Sequence, residues 1–260
     1  IQRTRAPAKR PAASAAPIAE AKASQRPPHH SRRHVTVLPE KEQRRVSREL
    51  RELHQRRQQN TDYKNMQRGR RRLPAVKQEE QVLAAIRGHQ VTLISGETGC
   101  GKTTQIPQFI LDHELQHGRG GKCNIVCTQP RRLAAIGVAE RVAAEQCTAA
   151  GDLVGYQIRL DKKMSKHTRL LFCTTGILLR RLGGDTKLQG VTHIIVDEVH
   201  ERDVDTDFLL SILRDLAARR PDVKIILMSA TMDASQFDSY FGGGNPIVEI
   251  PGFVHPVQEF

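Results

Sequence analysis

Val91-Thr92-Leu93-Ile94-Ser95-Gly96-Glu97-Thr98-Gly99-Cys100-Gly101-Lys102-Thr103 passes from an apolar, β-rich run into a glycine-rich turn and on into a helical pattern. The run predicts a buried strand over 91–95, and the pattern beyond it a helix over 102–115. The turn between them fits G-x4-G-K-[ST], and a strand before and a helix after give that spacing physical meaning. Glycines let the backbone curl until successive N–H groups face inward around a phosphate. The helix N-terminus adds partial positive charge. Lys102 is then expected to reach the β- and γ-phosphates of ATP or another NTP, and the Thr103 hydroxyl to bind Mg²⁺. Gly96, Glu97, Thr98, Gly99, Cys100, Gly101, Lys102, Thr103 and Thr104 form the candidate nucleotide-binding set. Cys100 is either a somewhat acidic thiol beside Lys102 or a passive small residue. Pro107 removes an N–H from the predicted helix, which predicts a local distortion.

Outward from this stretch the chain alternates apolar runs with helical patterns. Strands are predicted at 123–128, 169–173, 193–197 and 224–229, and helices at 132–146, 175–182, 204–219 and 234–241. Val204, Phe208, Leu209, Ile212, Leu213 and Leu216 are read as one apolar face of the 204–219 helix. Such alternation implies βαβ units: an α/β P-loop domain with a mostly parallel sheet and helices on both faces. Ligands of such sheets bind beyond the carboxyl ends of the strands.

Ile194-Ile195-Val196-Asp197-Glu198-Val199-His200-Glu201-Arg202-Asp203 carries a buried run straight into carboxylates. Burying charge without a partner is costly. A phosphate loop at the same sheet edge supplies the partner. Asp197 is expected to hold Mg²⁺, directly or through water; Glu198 either contacts the metal or polarises the attacking water. Mg²⁺ prefers oxygen ligands and keeps several waters, so a hydroxyl and a carboxylate suffice.

Residues 1–73 carry 20 Lys+Arg against 6 Asp+Glu, whereas 74–260 carry 21 against 22; the formal net charge of +13 therefore sits in the first segment. A basic arm on a near-neutral body suggests a polyanionic partner. Residues 1–39, rich in Ala, Pro, Arg and Ser, read as a disordered basic arm with some likeness to an organelle transit peptide. Residues 40–73 read as a basic helical lead-in, whose 40–59 helix has a narrow stripe of Val46, Leu50 and Leu53. That helix either docks lightly, lies along phosphates or is simply solvated. No run of about 18 apolar residues is present, so no membrane span is expected. Five cysteines without framework spacing suggest buried thiols in a reducing, intracellular compartment, and Cys123 with Cys127 lacks a second ligand pair for zinc.

The segments GETGCGKTTQIPQ, TQPRRLAA, CTTGILLR, DEVHERD and SAT, in this order, resemble the first RecA-like motor domain of DEAH-box RNA helicases, in the RNA helicase A-like branch. CNIVCTQPRRLAAIGVAERVA, VGYQIRL and DEVHERDVDTDFLLSILRDL carry the branch likeness, and Val199 stands where the family name has Ala. The resemblance implies a RecA-like ATP-binding domain over 74–252, followed at 253–260 by the start of a linker to a second motor domain. It implies an NTP phosphohydrolase that binds single-stranded or structured RNA, with DNA open as a substrate, working as a monomer in cytoplasm, nucleus or an organelle. Thr128, Gln129, Pro130, Arg131 and Arg132 correspond to one nucleic-acid-backbone motif; Thr174, Thr175 and Gly176, with Arg180, correspond to another. Arg141 matches an arginine that stacks on the nucleotide base. Ser229, Ala230 and Thr231 match the segment coupling hydrolysis to strand movement, and His200 joins that link; Lys102, Asp197, Glu198 and His200 are the implied catalytic set.

The first residue is Ile and the last segment resembles an interdomain entry, so the chain is expected to be a fragment. Without the arginine fingers of a second RecA-like domain it is expected to be nearly inactive alone. The other reading is a non-catalytic RNA-binding protein that uses the basic arm and keeps a vestigial motor fold. If residues 1–73 contact phosphates, deleting them should flatten the dependence of log affinity on log salt for a single-stranded RNA. An unchanged slope would make the arm a solvated tail.

Overall fold

Five parallel strands with uninterrupted buried runs form the middle of the sheet. They are β1 (Val91–Gly96), β2 (Ile125–Gln129), β5 (Leu170–Thr174), β6 (His193–Val196) and β7 (Lys224–Ser229). Strands covered on both faces need apolar residues at every position, which is why these runs do not alternate. The computed structural model describes residues 38–230 and 234–252. The expected arm, except for its last two residues, Thr231 and the segment 253–260 lie outside the described residues.

Three further strands, β3 (Val154–Ile158), β4 (Asp161–Lys163) and β8 (Ile247–Ile250), complete the order β4-β3-β5-β2-β6-β7-β1-β8. All neighbours pair in parallel except the β3–β4 hairpin. None of these three was expected from apolar runs. β4 is exposed throughout, β8 is a four-residue edge strand buried at alternate positions, and β3 is interrupted by Gly155. A Cβ at Gly155 would lie 2.3 Å from the Lys163 carbonyl oxygen, so the hairpin needs glycine there.

The helices divide between the faces. On one lie α4 (Glu79–Gly88), α5 (Lys102–Gln116) and α6 (Arg132–Glu145), packed through Ile86, Ile106, Phe109, Ile110 and Val142. On the other lie α7 (Thr175–Leu182), α8 (Val204–Arg219) and α9 (Ala234–Tyr240). Helix α5 runs unbroken through Pro107, so the expected distortion does not interrupt it. The missing N–H leaves only the Thr103 carbonyl without that donor.

The lead-in contributes α1 (Glu40–Gln59), α2 (Thr61–Arg70) and α3 (Pro74–Lys77). Helix α1 docks on α5 through Val46, Leu50 and His54, while Leu53 is 51% exposed. The buried stripe thus turns towards the histidine and away from the expected leucine. Gly121 donates its N–H to Ser47 Oγ at 2.9 Å, and a Cβ there would sit 2.1 Å from the Gln43 carbonyl, so α1 approaches too closely for a side chain.

The expected face of α8 is corrected in the same way. Thr206, Leu209, Leu210, Leu213 and Leu216 are buried, whereas Val204 is 84% and Phe208 60% exposed, with Ile212 between. At about 100° per residue the five buried positions fall within roughly 120° of arc, and Val204 and Phe208 project from the opposite side. Leu209→Ala is therefore expected to lower stability by about 2–5 kcal/mol, and Val204→Ala by no more than about 0.5 kcal/mol. Urea unfolding distinguishes them, and equal losses would restore the face read from sequence.

Candidate functional site

Register aligns the chemistry at one edge of the sheet. Ser95 pairs with Ser229, Thr128 with Val196, and Gln129 with Thr174. The strands consequently end side by side at Gly96, Gln129, Thr174, Asp197 and Ala230. A cleft of about 340 Å³ opens at this edge. Thr98, Gly99, Gly101, Lys102, Thr103, Thr104, Arg141 and Glu198 line it, and so do Leu73 and Glu145, neither of which was singled out from sequence.

The loop's curvature is built from glycine. Gly99 and Gly101 have φ of 83° and 96°, in the left-handed region that side chains resist. Gly96 packs against β8, where a Cβ would lie 2.7 Å from the Ile250 carbonyl. Lys102 is buried; its Nζ donates to the carbonyls of Gly96 and Glu97 and lies 3.8 Å from Cys100 Sγ. Cys100 is fully buried, with its Sγ packed against Gly96 and Lys102. Gly96, Glu97 and Cys100 thus hold the loop and its lysine and do not line the cleft.

Asp197 is 2% exposed. Gln129 Nε2 donates to its Oδ2 at 2.7 Å and the Glu198 N–H to its Oδ1 at 2.9 Å, and the Thr103 hydroxyl is a third group that favours its charged form. Burial and the adjacent Glu198 charge push its pKa up to about 6, against the pull of those three groups. Glu198 adopts φ 57°, ψ 37°, and Arg202 φ 50°, ψ 36°, at the two ends of a single 3₁₀ turn, Val199–Glu201. Non-glycine residues in this region carry strain that persists where surroundings over-determine it. The turn is pinned by Val199, buried in the core of its face, and by the Ala230 N–H, which donates to His200 Nδ1 at 3.1 Å. That bond requires an unprotonated Nδ1 and so places the imidazole proton on Nε2. Glu198 Oε2 lies 3.5 Å from the same Nδ1 and is a buried acceptor without a hydrogen bond.

The implied nucleic-acid-contacting residues separate into two groups. Arg131, Arg132, Gly176 and Arg180 are exposed, and Pro130 and Thr174 half-buried, at the same edge. The side chains of Thr128, Gln129 and Thr175 are buried. Thr128 Oγ1 donates to the Ile195 carbonyl, and Thr175 Oγ1 lies 3.5 Å from Thr206 Oγ1. These three side chains face the interior, and Gln129 donates to Asp197. Arg131 meets Glu201 at 3.2 Å. Ser229 is buried and Ala230 half-buried beside His200.

The donor set suits a hard cation. Thr103, Asp197 and Glu198 offer oxygen, and among the described residues no group of three or more His, Cys, Asp or Glu could hold a metal ion. A cation there would draw its remaining ligands from water and a phosphate. The five cysteines form no disulfide; Cys123, Cys127 and Cys173 are buried, and burial raises their pKa, that of Cys173 to about 12. Among the described residues no helix is long and apolar enough to cross a membrane.

The family model for DEAD/DEAH box helicases matches residues 76–239. An Arabidopsis thaliana protein, DExH-box ATP-dependent RNA helicase DExH3, is 58% identical over 189 residues, covering 73% of this chain and 16% of its own length. The Homo sapiens putative ATP-dependent RNA helicase DHX57 is 58% identical over 191 residues, covering 74% and 14%. The Bos taurus ATP-dependent DNA/RNA helicase DHX36 is 51% identical over 201 residues, covering 76% and 20%. The chain thus spans a fifth or less of these relatives.

The raised pKa of Asp197 has a signed consequence. Its contribution to stability is fully present below its ordinary 3.8 and is lost as pH rises through about 6. Asp197→Asn does not titrate. In chelator, the variant should therefore gain stability over the unsubstituted chain between pH 4 and 6, by on the order of 3 kcal/mol, with no further change above. Denaturant midpoints across that range test it; a gap independent of pH would contradict the buried-carboxylate account.

Proposed function

The chain belongs to the DEAD/DEAH box helicase family, and from that membership we propose that it is an NTP-driven motor domain of an RNA helicase, binding Mg-ATP in the cleft and the RNA backbone along the same sheet edge. The observation that carries this reading is the convergence of the phosphate loop, with Lys102 and Thr103, on the same cleft as Glu198, beside the buried strand-end carboxylate of Asp197.

The phosphates are held by the N–H groups of the loop and the start of α5, with the Lys102 ammonium moving from the carbonyls of Gly96 and Glu97 to the β- and γ-phosphates. Thr103 and Asp197 would hold Mg²⁺, with Glu198 beside them, and the ion would supply charge neutralisation for the transferred phosphoryl group. Glu198 lines the cleft, where its carboxylate is placed to accept a hydrogen bond from the attacking water and so orient it. Arg141, on the far wall, packs against the base; stacking reads no hydrogen-bond pattern, so discrimination among NTPs is poor. Rapid turnover requires closure against a second RecA-like domain whose arginines reach the phosphates.

Arg131, Arg132, Gly176 and Arg180 bind RNA phosphates without reading bases, which makes binding independent of sequence. Their link to the cleft is short. Gln129 precedes Pro130-Arg131 and donates to Asp197, and His200, in the turn that Glu198 opens, accepts from the Ala230 N–H. The five thiols without disulfides support a reducing, intracellular setting.

Lys102→Ala should weaken Mg-ADP binding at least about tenfold, the loss expected for a charge-assisted contact to phosphate. It should also remove whatever RNA-stimulated ATP hydrolysis the unsubstituted protein shows. Calorimetry and steady-state hydrolysis read the two effects, and unchanged values in both would sink the motor reading.

A further inference from the structure

The wall of the cleft opposite the phosphate loop is not complete within the residues matched by the family model. Leu73, which lines the cleft, and Arg70 precede residue 76, where that match begins. The Ala75 N–H donates to the Cys100 carbonyl at 3.0 Å, and Leu73 Cδ1 is within 3.2 Å of where a Cβ on Gly101 would lie. The segment from Arg70 to Ala75 therefore lies as a strap across the phosphate loop and the first turn of α5.

Beneath the strap runs a buried chain of hydrogen bonds. Arg70, 5% exposed, donates from Nε to Gln105 Oε1 at 2.7 Å. Gln105 Nε2 donates to Glu145 Oε2 at 3.0 Å and to Thr104 Oγ1 at 2.9 Å. Gln108 Nε2 donates to the same Glu145 oxygen at 2.7 Å. Glu145 Oε1 accepts from Arg141 Nε at 2.7 Å. Glu145 is 2% exposed; burial alone would raise its pKa, but the bonds from Gln108, Gln105 and Arg141 hold it below the usual carboxylate value. Arg141, with 67% of its side chain exposed, has Glu145 as its anchor.

Arg70 closes this chain at its inner end. Its Nε lies 3.8 Å from Glu145 Oε2 as well as bonding Gln105, and its Nη1 lies 3.5 Å from Asp112 Oδ2. The Glu145 carboxylate only accepts, so it holds the Gln105 amide with Nε2 towards it, and Arg70 supplies the donor that the opposite oxygen then requires. Without Arg70, Gln105 Oε1 is left buried without its donor and Glu145 loses its buried cation, which loosens the anchor of Arg141.

We infer that Arg70, acting through Gln105 and Glu145, is a positioning residue for Arg141, so that the helical lead-in completes the base side of the nucleotide cleft. The inference rests on the reading of that cleft as a nucleotide site. It separates two parts of one ligand: the phosphates are held by the loop, and the nucleoside by a wall whose geometry is set from outside the family match.

Calorimetric titration of the 260-residue chain with Mg-ADP and with Mg-tripolyphosphate tests it, because the second ligand has phosphates and no base. Arg70→Met, which keeps length and removes the donor, should weaken ADP binding by roughly 3–10-fold, a coupling of the size found within one network. Tripolyphosphate binding should stay within about twofold. In an Arg141→Ala background, Arg70→Met should change ADP affinity by less than about twofold. Glu145→Gln, nearly isosteric, weakens the anchor from a charged to a neutral acceptor and should show the same split between ligands, which keeps the test open if Arg70→Met fails to fold. Parallel loss of both ligands, no loss of ADP, or an equal effect in the two Arg141 backgrounds would overturn the inference. Failure of the unsubstituted chain to bind ADP would instead remove the nucleotide reading of the cleft, and this inference with it.

Discussion

A carboxylate sealed from water governs this site. Asp197 sits at the end of β6, between β2 and β7, where an unpaired charge is unfavourable by several kcal/mol. Three groups from three parts of the chain favour its charged form: Gln129 from β2 and the Glu198 amide from its own turn by direct hydrogen bonds, and the Thr103 hydroxyl from α5. They do not cancel the burial, since its pKa remains raised to about 6. A cation at this position would relieve what they leave. The parallel register sets Gln129 beside Asp197, because Thr128 lies opposite Val196.

The strained turn after Asp197 follows from the same constraint. With Asp197 facing inward, Glu198 must turn back towards the cleft within one residue, and its left-handed conformation does this. Val199 then anchors the turn in the core and His200 ties it to Ala230. Strain at Glu198 and a buried oxygen without a hydrogen bond coincide at the residue proposed to orient water. Opposing contributions of this kind concentrate at functional sites, where surrounding contacts fix geometry that local preference would not choose.

Much of this was legible in the sequence, for identifiable reasons. The central strands announced themselves because burial on both faces leaves continuous apolar runs, and the phosphate loop because glycine at fixed spacing has few other uses. β4 and β8 were not legible, since exposed or alternating edge strands carry little apolar signal. The face of α8 was misread because Val204 and Phe208 are apolar yet project from the side away from the core. Gln129 and Thr128 were placed with the arginines that follow them in sequence, whereas a strand's last residues face its neighbours before the chain emerges. Arg70 and Glu145 were invisible as site residues. Each is a common charged residue on a helix, and only tertiary packing shows them buried and joined through Gln105.

The order of strands then constrains how the two proposed activities can communicate. β5 and β2 carry the exposed arginines and glycine proposed to meet RNA, β1 carries the phosphate loop, and β6 and β7 lie between. Signals crossing this edge pass Asp197 and Glu198. On one side, Gln129 couples Asp197 to the segment leading into Arg131, so a shift of that segment alters the donor set of the buried carboxylate. On the other, His200, within the turn that Glu198 opens, accepts from the Ala230 N–H through an imidazole nitrogen that can do so only while it carries no proton. Both links are single hydrogen bonds made by side chains with two discrete arrangements, an amide that can flip and an imidazole that can change tautomer. Elements with two such arrangements are the physical requirement for coupling between sites. In this fold they flank a carboxylate that its surroundings leave incompletely compensated.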